Sequence, residues 1–145
     1  MKILVAVDES KYSEAAADAV VSRYRPGSSE VRVVHVLQPI AVSAPPQMAP
    51  GYTPELAGQA KDAESLVERI AQKLRAGGFQ VEGQVVKGDV REGIVDMAKE
   101  WKADLVILGS HGRTGLRRFL LGSVAEFVAR HAPCSVEIVR MEAGR

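Results

Sequence analysis

Residues 104–126 read DLVILGSHGRTGLRRFLLGSVAE, and this stretch decides the fold because it joins an apolar strand, a glycine-rich turn and the start of a helix. The run DLVILG is apolar after its first residue, as expected for a strand buried on both faces. Four glycines follow within fourteen residues: Gly109, Gly112, Gly115 and Gly122. Glycine destabilises a fold wherever its freedom is not needed. The turn is therefore either a flexible surface connection or a backbone shaped to bind an anion.

On both sides of that stretch, short apolar runs alternate with longer segments of helical period. This alternation is typical of a parallel sheet with helices on both faces. The predicted strands are residues 2–7, 31–37, 79–86, 104–109 and 135–139. The predicted helices are residues 13–24, 54–76, a segment after Asp89, and about 123–131. The chain thus predicts a single doubly wound α/β domain over residues 1–145, with five parallel strands and four helices.

Short polar residues mark the predicted helix starts. Ser10 or Ser13 is expected to cap the first helix. Asp89 followed by Glu92 predicts a capping box, in which each residue bonds the other's backbone N–H.

The same spacing recurs at the last helix, where Ser123 is followed by Glu126 and predicts another capping box. Between the second strand and the second helix, residues 38–54 carry five prolines in seventeen residues. A segment of this composition predicts a loop, and loops of this length are often functional. We expect it to be the moving element of the protein.

Composition narrows the classes of function. A net charge of +1, from 19 basic and 18 acidic residues, disfavours a general nucleic-acid or membrane-surface binder. The N-terminal apolar run is interrupted by Asp8, so it predicts neither a signal peptide nor a membrane span. Cys134 is the single cysteine, which excludes an internal disulfide and fits a reducing compartment. We therefore expect a cytoplasmic protein without nucleic-acid or membrane partners.

The glycine-rich turn occupies the place where doubly wound sheets bind ligands, at the carboxyl end of a strand and before a helix. A phosphate there would be held by free N–H groups, the helix dipole and the Ser123 hydroxyl. The frames GxxxxGK[ST], GxGxxG and GxSxG are absent from the sequence. The turn therefore predicts an anion site of another type.

The glycine spacing resembles the ATP-binding signature of the universal stress protein family, G-x2-G-x9-G-[ST]. It is matched at Gly109, Gly112 and the pair Gly122-Ser123. The segments KILVAVDES, VVHVLQP and GDVREGIVDMAKEWKADLVILGSHGR also resemble that family, so the likeness runs from Lys2 to Arg140.

The resemblance implies a Rossmann-like fold of the adenine nucleotide alpha hydrolase type, with strand order 3-2-1-4-5. It implies a site for ATP, with or without Mg²⁺, between the first and fourth strands. No protein ligand to a metal is expected, since Mg²⁺ would be held through the phosphates. It also implies a homodimer through the last strand, about Ser135 to Arg140.

By position, the resemblance assigns Asp8 to the ribose or adenine and the main chain of Val36 to the adenine edge. The loop over residues 108–125 would surround the ribose and phosphates. Its assigned residues are Leu108, Gly109, His111, Gly112, Gly122, Ser123, Val124 and Ala125. Ala125 departs from relatives that carry a second hydroxyl residue there, which removes a side-chain contact and keeps the backbone N–H.

Simpler roles remain open for several of these residues. Asp8 is equally suited to capping the first helix, although its place at the end of the first strand favours a ligand. His111 is a weak candidate for a general base, because a lone loop histidine more often anchors backbone or stacks. Arg113 is favoured as a phosphate contact, whereas Arg117 and Arg118 are expected to be solvated.

Three functions follow in order of preference. The first is an ATP-binding regulatory switch in a stress response. The second is a slow ATPase or phosphotransferase, because phosphoryl transfer depends mainly on positioning and charge. The third is a nucleotide-independent dimeric interaction module. No catalytic residue is assigned.

Overall fold

A computed structural model describes residues 1–38, 54–111 and 121–141 of the chain. The strands are β1 (Lys2–Ala6), β2 (Glu30–Leu37), β3 (Gln80–Lys87), β4 (Leu105–Gly109) and β5 (Ser135–Val139). The helices are α1 (Lys11–Arg23), α2 (Pro54–Ala76), α3 (Val90–Trp101) and α4 (Ser123–His131), with a short 3-10 turn at Pro26–Ser28. The predicted alternation of five strands and four helices is confirmed, with boundaries shifted by at most two residues.

The strands form one parallel sheet in the order β3-β2-β1-β4-β5, as predicted. Alternate side chains of β1 enter different cores: Ile3 and Val5 pack towards α1 and α2, whereas Leu4 packs towards α3 and α4. All three are fully buried. A strand that is apolar on both faces is stable only when helices cover both faces, and the four helices supply that cover.

β3 and β5 are the two edges of the sheet. The period-two sequence of β3 predicts an exposed edge strand, and this is confirmed because most of its side chains are exposed or half-buried. α2 ends just before Gly77, and Gly78 has a φ of +94°. Only glycine adopts that conformation without strain, so the pair terminates the helix as expected.

Asp89 and Ser10 occupy the N-cap positions predicted for α3 and α1, but only Asp89 makes a side-chain capping bond. Asp89 accepts a hydrogen bond of 3.0 Å from the N–H of Glu92, as a capping residue does. Ser10 occupies the N-cap position of α1 but makes no side-chain capping bond, because its hydroxyl bonds Asp8 instead. α1 begins at Lys11, so Ser13 lies inside the helix.

The capping box predicted at Ser123 and Glu126 is wrong. Gly122 is the N-cap of α4 and Ser123 is its first helical residue. The N–H of Glu126 donates to Gly122 O at 3.0 Å, and the Glu126 carboxylate pairs with Arg130 at 2.9 Å. The helix therefore begins without a side-chain cap.

Some predictions fall outside the described residues. They concern the proline-rich loop apart from Gln38 and Pro54, and the positions Gly112, Arg113, Gly115, Arg117 and Arg118. Among the helices that are described, none is both long and apolar enough to cross a bilayer.

Candidate functional site

The carboxyl ends of β1 and β4 lie side by side, with Val5 in register with Ile107. From β1 the chain runs to β2 and β3 on one side of the sheet, and it then crosses to β4 on the other side. β1 and β4 therefore flank the topological switch point, where ligands bind in open α/β sheets.

A cleft opens at this switch point. The space between its walls is about 430 Å³, including the part open to solvent. The first turns of three helices (α1, α3 and α4) and the ends of two strands (β1 and β4) form its walls. The lining residues are Ala6, Val7, Asp8, Tyr12, Ser13, Val90, Ile94, Leu108, Gly109, His111, Val124 and Ala125.

Asp8 directly follows β1 and is held by the turn that leads into α1. Its Oδ1 accepts hydrogen bonds from the Ser10 N–H at 2.8 Å, the Ser10 hydroxyl, and the Ser13 hydroxyl at 3.1 Å. All the hydrogen bonds described for this carboxylate end on Oδ1. Asp8 thus orders the turn before α1 without capping the helix, whose N-cap is Ser10, and it also lines the cleft.

Gly109 ends β4 against the first turn of α1. A Cβ built at Gly109 would overlap the Cβ of Tyr12 and lie 3.2 Å from the Tyr12 carbonyl oxygen. The helix can approach the strand this closely only because residue 109 has no side chain.

His111 follows β4 and faces Tyr12, with the two ring centroids 5.4 Å apart. Its Nδ1 lies 3.0 Å from the hydroxyl of Ser110, which is buried. The imidazole is therefore engaged with neighbouring side chains, as the anchoring interpretation expected.

The N-terminus of α4 forms another wall of the cleft, through Val124 and Ala125. Its start is tied to β4 by a hydrogen bond of 2.8 Å from the Gly122 N–H to Ser110 O. Within the described parts of the chain, the N–H groups of Ser123, Val124 and Ala125 have no acceptor. Unpaired N–H groups and the positive end of the helix dipole make this turn suitable for an anion.

Val36 lies near the end of β2, outside the cleft lining, with a buried side chain. Val34 O accepts a hydrogen bond of 2.9 Å from the Val7 N–H, so this side of β2 faces β1. In a parallel strand, residues two apart direct their backbone groups to the same side. The N–H and C=O of Val36 therefore point to the side on which β1 lies. Because β1 ends at Ala6, before the level of Val36, these groups point towards the edge of the cleft.

The structure brings six of the residues assigned from sequence into the cleft lining: Asp8, Leu108, Gly109, His111, Val124 and Ala125. Gly122 and Ser123 begin the helix that borders it, whereas Gly112 and Arg113 are not described. Tyr12, Ser13, Val90 and Ile94 line the cleft and were missed as site residues. They could have been found, because the first turn of each helix that follows a strand lies at the carboxyl edge of the sheet.

The remaining histidines and the cysteine have structural surroundings. His35 Nδ1 lies 2.8 Å from Val7 O, and His131 stacks on Phe127 at the end of α4. Burial raises the pKa of the Cys134 thiol above its ordinary value, so the packed, unreactive cysteine that the sequence predicts fits its surroundings. In the described residues, no group of three or more His, Cys, Asp or Glu side chains could hold a metal ion.

Comparison with known proteins identifies the family. The family model described as "Universal stress protein family" matches residues 1–140. The chain belongs to the universal stress protein family. A universal stress protein of Synechocystis, Sll1388, is 33% identical, and the alignment covers 96% of this chain and 97% of the relative.

Solved structures of universal stress proteins share the fold. The structure of MJ0577, from Methanocaldococcus jannaschii, superposes with a TM-score of 0.85 at 30% identity and covers 99% of this chain and 97% of that one. The universal stress protein from Archaeoglobus fulgidus, in complex with dAMP, has a TM-score of 0.68 at 25% identity and covers 96% and 97%.

Proposed function

We propose that the cleft between β1 and β4 binds an adenine nucleotide, ATP with or without Mg²⁺, and that the occupied protein acts as a regulatory switch. In this arrangement the nucleoside lies towards Asp8 and the phosphates lie at the N-terminus of α4. The observation that carries the proposal is the first turn of α4: its N–H groups have no acceptor among the described residues, and it lines the same cleft as the Asp8 carboxylate.

The two ends of the cleft differ in charge, and this difference orients a nucleotide. The α4 end attracts phosphate through N–H groups and the helix dipole. The Asp8 end repels phosphate and accepts hydrogen bonds from ribose hydroxyl or amine groups. The backbone of Val36 adds a donor and an acceptor at the edge beside Asp8.

The choice of adenine is supported by the family. The Archaeoglobus fulgidus relative forms a complex with dAMP and shares 25% identity over nearly the whole chain. The glycine spacing of this chain also matches the family's ATP-binding signature. We therefore propose the same base in this cleft.

A regulatory role depends on ligand binding, and two polar side chains of the cleft, Asp8 and His111, are held in place for it. Oδ1 of Asp8 accepts three hydrogen bonds, and the His111 ring is engaged with Ser110 and Tyr12. Side chains held in fixed orientations lose less conformational freedom when a ligand binds. We place the role in a cytoplasmic stress response, in keeping with the single unpaired cysteine, Cys134.

Calorimetric titration with ATP, on protein stripped of bound nucleotide by unfolding and refolding, tests the site. We expect saturable binding that Gly122→Val weakens at least about tenfold, because a branched side chain at the N-cap blocks the approach of a phosphate. Gly27→Val is the matched control, since a Cβ at Gly27 meets nothing within 4 Å. Absence of binding by the unmodified protein would contradict the proposal.

We also propose a homodimer that pairs the edge strand β5 with its copy. Among the described strands β5 pairs only with β4, which leaves its other edge open. Met141, which lies two residues after β5, is an exposed hydrophobic residue. Exposed edges of this kind favour pairing with another chain. Light scattering should report the mass of two chains, and replacing Ile138 with Pro should give a monomer; a monomeric unmodified protein would contradict the dimer.

A further inference from the structure

Ser13 is a buried polar residue inside the first turn of α1, with only 3% of its surface exposed. It lines the cleft beside Asp8. A buried hydroxyl must find hydrogen-bond partners, and the choice of partner reveals what the residue does. Ser22, on the same helix, makes the bond that is usual for a helical serine: its hydroxyl donates to the carbonyl oxygen of Ala19, in the preceding turn, at 3.3 Å.

Ser13 instead bonds Asp8 twice. The Asp8 N–H donates to Ser13 Oγ at 2.7 Å, and Ser13 Oγ donates to Asp8 Oδ1 at 3.1 Å. These two bonds close a ring that fixes both the backbone and the carboxylate of Asp8. Ser10 adds its N–H and its hydroxyl to the same oxygen.

Oδ1 therefore has three donors, which already exceeds the roughly two lone-pair sites of one carboxylate oxygen. Within the described residues, Oδ2 accepts no hydrogen bond and is the oxygen left for a ligand. A carboxylate held in one orientation loses less rotational freedom on binding, so its hydrogen bond to a ligand is stronger than that of a freely rotating one.

We propose that Ser13 is a positioning residue for nucleotide recognition: it fixes Asp8 so that Oδ2 alone accepts a hydrogen bond from the nucleoside. This inference rests on the proposed nucleotide site and adds a residue that does not itself touch the ligand. Ser13 acts entirely through Asp8, so its contribution disappears when Asp8 is removed.

A double-mutant cycle tests this coupling by calorimetric titration with ATP. Ser13→Ala should weaken ATP binding about tenfold, which is the loss expected for a hydrogen bond to a charged group. In the Asp8→Ala background the same change should alter the affinity less than about twofold. Ser22→Ala is the matched control on α1 and should leave ATP affinity unchanged. The fold of each variant is checked by circular dichroism.

If Ser13→Ala does not fold, Ser10→Ala replaces it in the cycle. It removes one donor to Oδ1 and keeps the Ser10 N–H, so we expect a smaller weakening that Asp8→Ala also abolishes. If Asp8→Ala binds no ATP, the cycle cannot be completed. A crystal structure of the serine variant that folds then tests whether the serine fixes the orientation of the Asp8 carboxylate. The Asp8 carboxylate should then be rotated while α1 keeps its place.

The outcomes separate the two proposals. An unmodified protein that does not bind ATP overturns the nucleotide site and this inference with it. Binding by the unmodified protein, together with an unchanged affinity in Ser13→Ala, overturns the positioning role alone. Equal weakening by Ser13→Ala with and without Asp8, or an unmoved Asp8 carboxylate in the crystal structure, overturns it as well.

Discussion

Gly109 shows how one residue can serve both packing and the site. The absence of a side chain at this position lets the first turn of α1 lie against the end of β4. That turn carries Tyr12 and Ser13, which line the cleft. The glycine therefore acts on the site through the position of α1.

We expect Gly109→Ala to destabilise the protein by roughly 1–3 kcal/mol, as overpacking of a close contact does. The added Cβ would meet the backbone and the Cβ of Tyr12, and neither can rotate away. Urea unfolding measures the change. Gly27→Ala, where the added atom meets nothing, is the control. A Gly109→Ala variant as stable as the unmodified protein would contradict this packing role.

At the residue scale, sequence predicted which positions reach the cleft better than it predicted what they contact. The spacing of glycines and the place of Asp8 after β1 led to the correct region. The hydrogen bonds of Asp8 could not be predicted, since they depend on α1 beginning at Lys11 and turning Ser13 back towards β1. Tyr12 carries no motif, and only the fold brings it beside His111.

At the scale of elements, a cluster of polar side chains joins α1 to the edge strand β5. The Tyr24 hydroxyl donates to Glu137 Oε1 at 2.6 Å, and Arg23 pairs with Glu137 Oε2 at 2.7 Å. The hydrogen bond to Glu137, followed by burial, raises the pKa of Tyr24 to about 12 from its ordinary value of 10.0. The cluster thus links the end of α1 to the strand proposed for the dimer.

The raised pKa predicts how stability depends on pH. Folding favours neutral Tyr24, so its contribution to stability is fully present below pH 10 and is lost as the pH rises towards 12. Tyrosinate absorbance should show this late ionisation.

Glu137→Gln should lower the pKa of Tyr24 towards 10.0, because it exchanges the hydrogen bond to a carboxylate for a weaker one to a neutral amide and removes the negative charge. Glu126→Gln, which alters only an exposed ion pair on α4, is the control. A Tyr24 pKa that stays near 12 in Glu137→Gln would contradict the assigned cause.

Elements were predicted well because their periodicities are local. The apolar runs of β1 and β4 and the capping of α3 by Asp89 are properties of a few adjacent residues. The capping hydrogen bonds expected from serines at α1 and α4 are not made, because tertiary structure decides which nearby partner a serine hydroxyl bonds. Ser10 bonds Asp8, and Ser123 lies one residue inside α4.

At the scale of the whole molecule, the alternation of elements predicts a doubly wound sheet, and the order 3-2-1-4-5 came from the family resemblance. That order creates the switch point, and the cleft follows from it. Periodicity alone does not determine strand order, because each predicted strand is compatible with several neighbours. We propose accordingly that a nucleotide lies in this cleft, in contact with Asp8 and the first turn of α4.

The most direct test is the amide NMR spectrum of the isotope-labelled protein during titration with ATP. We predict that the largest shifts fall on Asp8, Val36 and the α4 start from Gly122 to Ala125, while amides of β3 and of the middle of α2 stay unchanged. This pattern would place the phosphates on the uncapped helix and the nucleoside at the end of β1. Shifts confined to other surfaces, or none at saturating ATP, would contradict the account.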